Sequence, residues 1–222
     1  MTHSNGPAGE QIAKIRETLL MMASLADRNL SLALRALVER DEKLAASVEA
    51  EDSQLDELEV TIDEMVINHM ATHAPVATDC RFMLVASKIS SNLERIADQA
   101  VAIVRRAREL NKEPLLKPLI DIPRMAQIAE GMLRDGITAL IDHNPVLAQE
   151  IVKRDKEVDA INKQLARELT SFMLEDPSTI TRALNLTIVA RCLERVADHC
   201  KNIAEEVYYL YQARDIRHER AS

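Results

Sequence analysis

One pattern occurs twice along the 222-residue chain and restricts its fold more than any other feature. The segment Leu-Glu-Arg-Ile-Ala-Asp at 93–98 returns as Leu-Glu-Arg-Val-Ala-Asp at 193–198, which is 100 residues later. Earlier equivalent positions are 103 residues apart, for example Asp41 and Asn144. The missing three residues fall in one connecting loop of the second half, where deletions are tolerated. The chain is therefore an internal duplication.

Each copy carries the spacing of amphipathic helices, with apolar residues recurring at three and four positions. Aromatic residues make up only 2% of the chain and there are only 4 glycines, which disfavours sheets and their turns. Asp41, Asn144 and Asp176 are good N-caps, and Pro145 and Pro177 are suited to a first helical position. The pattern predicts six helices, at about 10–40, 42–70, 76–112, 122–142, 145–174 and 177–212.

The predicted fold class is all-α, with two tandem antiparallel three-helix bundles related by the duplication. Short connections within each copy favour antiparallel neighbouring helices, and Pro114 and Pro118 mark the linker between the copies. The predicted domains are a disordered tail at 1–9, a first bundle at 10–113, a second bundle at 114–213 and a tail at 214–222.

Charge and composition exclude several classes of protein. The net charge of -8 disfavours nucleic-acid binding, which usually needs a basic surface. The three cysteines are too few and too irregular for a disulfide framework or a zinc cluster. No apolar run reaches the length of about 18 residues that spans a bilayer, and residues 1–9 lack the features of a signal peptide. We therefore expect a cytoplasmic protein.

The duplication also repeats pairs of carboxylates four residues apart, which lie on one face of a helix and repel each other. Each pair lies at the margin of an apolar stripe, so the pairs of two neighbouring helices meet if those margins meet. Clustered oxygen ligands suit Mg, Mn, Fe or Zn, and four carboxylates can hold more than one ion. The four pairs are Asp52 and Asp56, Glu94 and Asp98, Asp155 and Asp159, and Glu194 and Asp198.

Two simpler interpretations of these pairs stay open. Acidic pairs at this spacing are common on solvated helices, and Arg95 and Arg195 are available as salt-bridge partners. Spacing alone does not decide between these interpretations and a metal site.

The two predicted sites differ in the number of additional carboxylates near them. The first has further carboxylates nearby, at Glu59, Asp63 and Asp79. Their counterparts in the second half are Asn162, Ala166 and Thr179. We therefore expect the better site in the first half. His199 follows Asp198 and could approach the second site, although a single histidine is more often a surface or packed residue.

At 93–98 and 193–198 the chain resembles the PhoU family, which has two such segments and two three-helix bundles. The stretch Pro75-x-x-x-Asp79-x-Arg81 is similar to the family's approach to the first segment, although Cys80 replaces the usual leucine. The resemblance covers about residues 12–212, and the paired segments make it specific.

The resemblance implies a function. Family members bind metal ions, often as multinuclear clusters, which here implies one site at Asp52, Asp56, Glu94 and Asp98 and another at Asp155, Asp159, Glu194 and Asp198. The family restrains the phosphate-starvation response, acting between the ATPase subunit of the phosphate ABC importer and a sensor histidine kinase. Dimers and higher oligomers are usual, and contact with the membrane is expected only through partners.

The sequence carries none of the motifs that would favour an enzyme of this fold class. Helical di-iron enzymes use Glu-x-x-His motifs, and no glutamate lies three residues before a histidine here. The chain also lacks a Gly-rich phosphate loop, so we expect a protein that is not an enzyme. A metal-free helical scaffold and an accessory protein of a different phosphate transporter remain as alternatives.

Overall fold

A computed structural model describes residues 7–217 of the chain. In these residues the secondary structure is α-helical apart from a single 3-10 turn at Pro177–Thr179, which confirms the all-α prediction. None of the described helices is long and apolar enough to cross a lipid bilayer. The helices are α1 (Pro7–Glu39), α2 (Glu42–Thr72), α3 (Ala77–Asn111), α4 (Asp121–Ile141), α5 (Pro145–Glu175) and α6 (Ile180–Gln212).

Two helix starts differ from the prediction. Helix α1 begins at Pro7, so the predicted disordered tail at 1–9 was too long by the three residues 7–9; proline is favoured in a first helical turn. Residues 1–6 and 218–222 lie outside the described residues. Helix α6 begins at Ile180 rather than at 177, because Asp176 caps the 3-10 turn by accepting a hydrogen bond from the Ser178 backbone N–H.

The helices form two bundles, α1 to α3 and α4 to α6, in which every helix packs against the other two. The apolar stripes predicted for the helices line the interiors of the bundles. In α3, for example, Ile89, Leu93 and Ile96 are fully buried. The architecture of two tandem three-helix bundles is therefore confirmed.

The duplication extends to the backbone of one turn. Arg40 and His143, equivalent positions after α1 and α4, both have left-handed backbones, with φ of 57° and 55°. The following residues, Asp41 and Asn144, each donate a backbone N–H to a carbonyl five residues earlier, which ends a helix in a Schellman motif. The same two side chains then cap α2 and α5, as predicted.

The two bundles are joined mainly by α3 and α6, which run antiparallel. Lys88 on α3 donates to Glu206 on α6 at 2.9 Å. Further along, Asn92 Oδ1 lies 3.0 Å from Nδ1 of His199. This contact places the long third helix of each copy at the centre of the molecule. The α2–α3 and α5–α6 grooves then belong to separate bundles.

Candidate functional site

The first two carboxylate pairs meet in the groove between α2 and α3, which run antiparallel. On the opposite helix, Asp52 has Asp98 as an electrostatic neighbour, and Glu94 has Asp56 and Glu59. The structure thus brings the four predicted residues together, and Glu59, which was expected near this site, lies with them. We call these five residues the first cluster.

Glu94 is more enclosed than its neighbour Asp98, with 13% of the side chain exposed against 44%. Its Oε2 atom is buried and has no hydrogen-bond partner among the described residues, because Arg95 Nε approaches to 3.2 Å without hydrogen-bond geometry. Burial, followed by the charges of Asp98, Glu59 and Asp56, raises the pKa of Glu94 to about 7. Arg95 opposes this shift only in part. Glu94 Oε2 is thus held in the groove with an ion pair to Arg95 and no hydrogen bond from the described residues.

The environment of Asp52 also disfavours the charged form of its carboxylate. Burial raises its pKa, and the charges of Asp56 and Asp98 raise it further. The charge of Arg105 opposes this shift, but Arg105 forms its own ion pair with Glu49 at 3.5 Å. Neither Asp52 nor Asp56 has an ion-pair partner in the part of the chain that the structure describes. The first cluster therefore concentrates negative charge.

Arg95 confirms one of the simpler interpretations in part. Its guanidinium lies 3.2 Å from Glu94 and 3.4 Å from Asp98, both on its own helix. The arginine side chain is 58% exposed, and exposed pairs of this kind contribute little to stability. Arg95 therefore screens the solvent side of the first cluster, and it does not bridge α3 to α2.

The second cluster consists of Asp155 and Asp159 on α5 and Glu194 and Asp198 on α6. Burial raises the pKa of Glu194, and the charges of Asp159, Asp198 and Asp155 add to the shift. Burial also raises the pKa of Asp155, but here the ammonium of Lys201 opposes the shift. All four predicted residues are again brought together.

Lys201 distinguishes the second cluster from the first. Its Nζ lies 3.4 Å from Asp155 on α5 and 3.4 Å from Asp198 on α6, so the ammonium bridges the two helices. The equivalent residue of the first half, 100 positions earlier, is the buried Val101. Sequence reasoning missed Lys201, although its position three residues after Asp198 is a signal for an ion pair.

A second lysine follows the same pattern. Lys163 lies 3.8 Å from Asp159, and its counterpart 103 positions earlier is the exposed Val60. Two valines near the first cluster thus correspond to two lysines near the second.

Two further carboxylates predicted near the first site, Asp63 and Asp79, lie at different distances from it. Asp63 accepts a hydrogen bond from Ser87 Oγ at 2.5 Å, one turn beyond Glu59. Asp79 is an electrostatic neighbour of His69 and lies 15 residues, or about 22 Å of helix, from Glu94. The prediction that Asp79 furnishes the first site was therefore wrong.

His199 does not complete the second cluster. Its Nδ1 lies 3.0 Å from Asn92 Oδ1 on the other bundle. Burial lowers the pKa of His199, although the Asp198 and Asp98 carboxylates oppose that shift. The residue belongs to the contact between the bundles.

The side chains have the chemistry of metal ligands but not a ready ligand arrangement. Across residues 7–217, no three His, Cys, Asp or Glu side chains are grouped closely enough to hold a metal ion. The first cluster nevertheless offers carboxylate oxygens, the donors that hard cations prefer, and Glu94 Oε2 accepts no hydrogen bond from the described residues. The eight residues proposed as ligands therefore stay a prediction, and the first cluster fits a cation better than the second.

Comparison with known proteins places this geometry in a family. A family model described as "PhoU domain" matches residues 19–107 and 122–207. The phosphate-specific transport system accessory protein PhoU homolog of Aquifex aeolicus is 37% identical over 210 residues, which are 95% of this chain and 95% of that protein. The PhoU accessory protein of Escherichia coli K12 is 32% identical over 216 residues, covering 97% of this chain and 90% of its own length.

Solved structures agree. The crystal structure of PhoU from Pseudomonas aeruginosa superposes with a TM-score of 0.90 at 33% identity, over 92% of this chain and 99% of that one. A Streptococcus pneumoniae phosphate transport system regulatory protein PhoU shares the fold, with a TM-score of 0.86 at 23% identity over 93% of this chain and 98% of that one. The two relatives from Aquifex aeolicus and Escherichia coli are named as accessory proteins and not as enzymes, in agreement with the expectation for this chain. With one PhoU-domain match on each bundle and clear identity along nearly the whole length, the chain belongs to the PhoU family.

Proposed function

We propose that this protein is a negative regulator of the phosphate-starvation response and a modulator of phosphate uptake. In this proposal it is a metal-binding adaptor between the ATPase subunit of the phosphate ABC importer and a sensor histidine kinase. Family membership supports the link to phosphate transport, since the relatives are named as accessory proteins of that system. The observation that carries the proposal is the first cluster, where carboxylates face one another across α2 and α3.

The proposed metal ligands of the first cluster are Asp52, Asp56, Glu94 and Asp98. Fe, Zn, Mn or Mg ions, in one or more copies, would supply the positive charge that these side chains lack. Carboxylates discriminate weakly between such metals, so the ligand set supports a class of cation rather than one element. The resemblance assigns Asp155, Asp159, Glu194 and Asp198 to a second site.

The residues of the first cluster have two proposed roles. By sharing a bound cation they would hold α2 and α3 in one relative position, and together they form a surface on which a kinase domain or the importer ATPase docks. Docking shifts the partner toward the state that represses the response, provided that the surface has different affinities for the two states. The proposal includes a homodimer or higher oligomer in the cytoplasm that reaches the membrane only through its partners.

A charge-reversal experiment tests the regulatory role. Asp52→Lys combined with Glu94→Lys should abolish repression of a phosphate-starvation reporter in phosphate-rich medium, because the docking surface changes sign. Far-UV circular dichroism checks that the helical content is retained. The matched control is Glu150→Lys with Glu175→Lys, two exposed carboxylates of α5, which should repress normally. Normal repression by a folded Asp52 and Glu94 variant would contradict the proposal.

Elemental analysis separates the metal-binding adaptor from a metal-free scaffold. The protein is purified without chelator or affinity metal, beside a variant with alanine at Asp52, Asp56, Glu94 and Asp98. Bound metal that falls in the variant supports metal binding and names the element. Absence of metal from both proteins would leave the carboxylates with a docking role alone.

A further inference from the structure

We infer that Lys201 is a built-in cation of the second cluster, so that this chain binds metal in the α2–α3 groove and not in the α5–α6 groove. The inference rests on the proposed metal binding and restricts it to one bundle. The resemblance implies a metal site in each bundle. The side chains around the two clusters of this protein differ, however.

Lys201 lies between the two helices of the second cluster. Its ammonium bridges Asp155 and Asp198, which come from two different helices, at 3.4 Å each. A metal ion shared by α5 and α6 would need the same two carboxylates. The lysine side chain is only 29% exposed. Its ammonium is therefore enclosed between the two helices, at the place that a metal ion shared by these carboxylates would take.

A metal ion at the second cluster would compete with the Lys201 ammonium for the same carboxylates. A divalent cation entering the second cluster would have to displace the ammonium from both carboxylates or bind a few ångströms from a like charge. Unit charges at such distances interact strongly enough to change an affinity by about tenfold or more. Lys163, 3.8 Å from Asp159, adds a second positive charge on the solvent side.

The first cluster has no cation that bridges its two helices in the described residues. Arg95 lies 3.2 Å from Glu94 and 3.4 Å from Asp98, but it is 58% exposed and stands on the same helix as both. Val101 and Val60 occupy the positions of Lys201 and Lys163. Asp52 and Asp56 have no ion-pair partner among residues 7–217, and Glu94 Oε2 has no hydrogen-bond partner there. Glu59 adds a carboxylate where the second half has Asn162. The two clusters therefore differ in the position of their cation: an exposed arginine on one helix at the first, and a lysine that bridges both helices at the second.

The test is a titration of metal-free protein with Mn²⁺, in which electron paramagnetic resonance reports the free ion. We expect the wild type to bind Mn²⁺ at one class of site, which Asp52→Asn with Glu94→Gln removes. Lys201→Val installs the residue of the first half, and it should add a second class of bound Mn²⁺ that Asp155→Asn with Glu194→Gln removes. Lys201→Met keeps most of the length of the side chain without its charge and should behave in the same way.

Lys14→Val is the matched control, because it removes an exposed lysine paired to Glu17 far along α1. It should leave Mn²⁺ binding unchanged. Thermal unfolding gives a second readout, since Mn²⁺ should raise the midpoint of Lys201→Val more than that of the wild type.

Three results would overturn the inference, and they differ in what they leave standing. Wild-type binding that depends on Asp155 and Glu194 would show that both clusters take metal. An unchanged Mn²⁺ stoichiometry in both Lys201 variants would show that the lysine does not exclude it. No Mn²⁺ binding in any variant would instead remove metal from the proposed function itself.

Discussion

Between α2 and α3 five carboxylates meet, and the cation nearest to them is an exposed arginine on the same helix as two of them. Between α5 and α6 four carboxylates meet, and a lysine bridges two of them across the groove. The backbones of the two halves correspond down to the left-handed residue that ends α1 and α4. The comparison teaches that duplication preserved the helical frame, while a few side chains decided how each groove balances its charge.

The largest expected difference between the halves concerns the core rather than the grooves. Asn29 on α1 and Met132 on α4 are equivalent, and both are buried. Neither amide atom of Asn29 has a hydrogen-bond partner among the described residues. Met132→Asn should lower the free energy of unfolding by roughly 2–4 kcal/mol, because it removes apolar volume and buries a polar group. Urea denaturation followed by circular dichroism measures this change.

The reverse substitution, at the equivalent position of the first bundle, should have the opposite effect on stability. Asn29→Met should raise the free energy of unfolding by about 1 kcal/mol, because it removes a buried group without a partner. Met132→Leu conserves volume and is the control, with an expected loss below about 1.5 kcal/mol. An Asn29→Met protein that is less stable than its parent would show that Asn29 has a structural role in the first bundle.

A smaller effect is expected from the pH dependence of the first cluster in the presence of a chelator. The pKa of Glu94 is about 7 in the folded protein, above its ordinary value of 4.5. Its contribution to stability is therefore fully present below pH 4.5 and is lost as the pH rises to 7, since the folded state binds more protons in that window. Glu94→Gln should become more stable relative to its parent as the pH rises from 4.5 to 7. After allowance for solvent screening, the gain is on the order of 1 kcal/mol.

Urea denaturation at several pH values checks this prediction. Glu194→Gln should show the same sign, because burial also raises the pKa of Glu194. Glu150→Gln alters an exposed carboxylate of α5 and should reproduce the parent profile. A difference between Glu94→Gln and its parent that stays constant from pH 4.5 to 7 would contradict the burial of this carboxylate.

The smallest expected difference in stability is between the N-caps of α2 and α5. Asp41 accepts hydrogen bonds from the backbone N–H groups of Lys43 and Leu44 at 2.8 and 3.3 Å, whereas Asn144 accepts one from Leu147 at 3.1 Å. Asp41→Ala should cost about 1 kcal/mol of stability. Asn144→Ala should cost less, because it removes one bond and no charge at the start of the helix. Equal losses in denaturation experiments would show that the aspartate charge contributes nothing.

Local features of this protein could be read from its sequence. The caps at Asp41 and Asn144 depend on hydrogen bonds over two or three residues, and the carboxylate pairs depend on the helical repeat. The repeated segment around Leu93 and Leu193 identified the duplication, because equivalent helices must keep their apolar positions. The all-α fold followed from these short-range rules. The grouping of the eight carboxylates into two sites was implied by the family resemblance, and spacing alone made it conditional on the meeting of neighbouring helix margins.

The tertiary structure alone decided how the helices meet in space. Glu59 joins the first cluster and Asp79 lies beside His69, because the antiparallel offset of α2 and α3 determines which residues face each other. Lys201 reaches Asp155 only because α5 packs against α6. The burial that raises the pKa of Glu94 likewise depends on neighbouring helices. Helical periodicity specifies the face of a residue, whereas charge balance in a groove depends on distances between helices that no periodicity encodes.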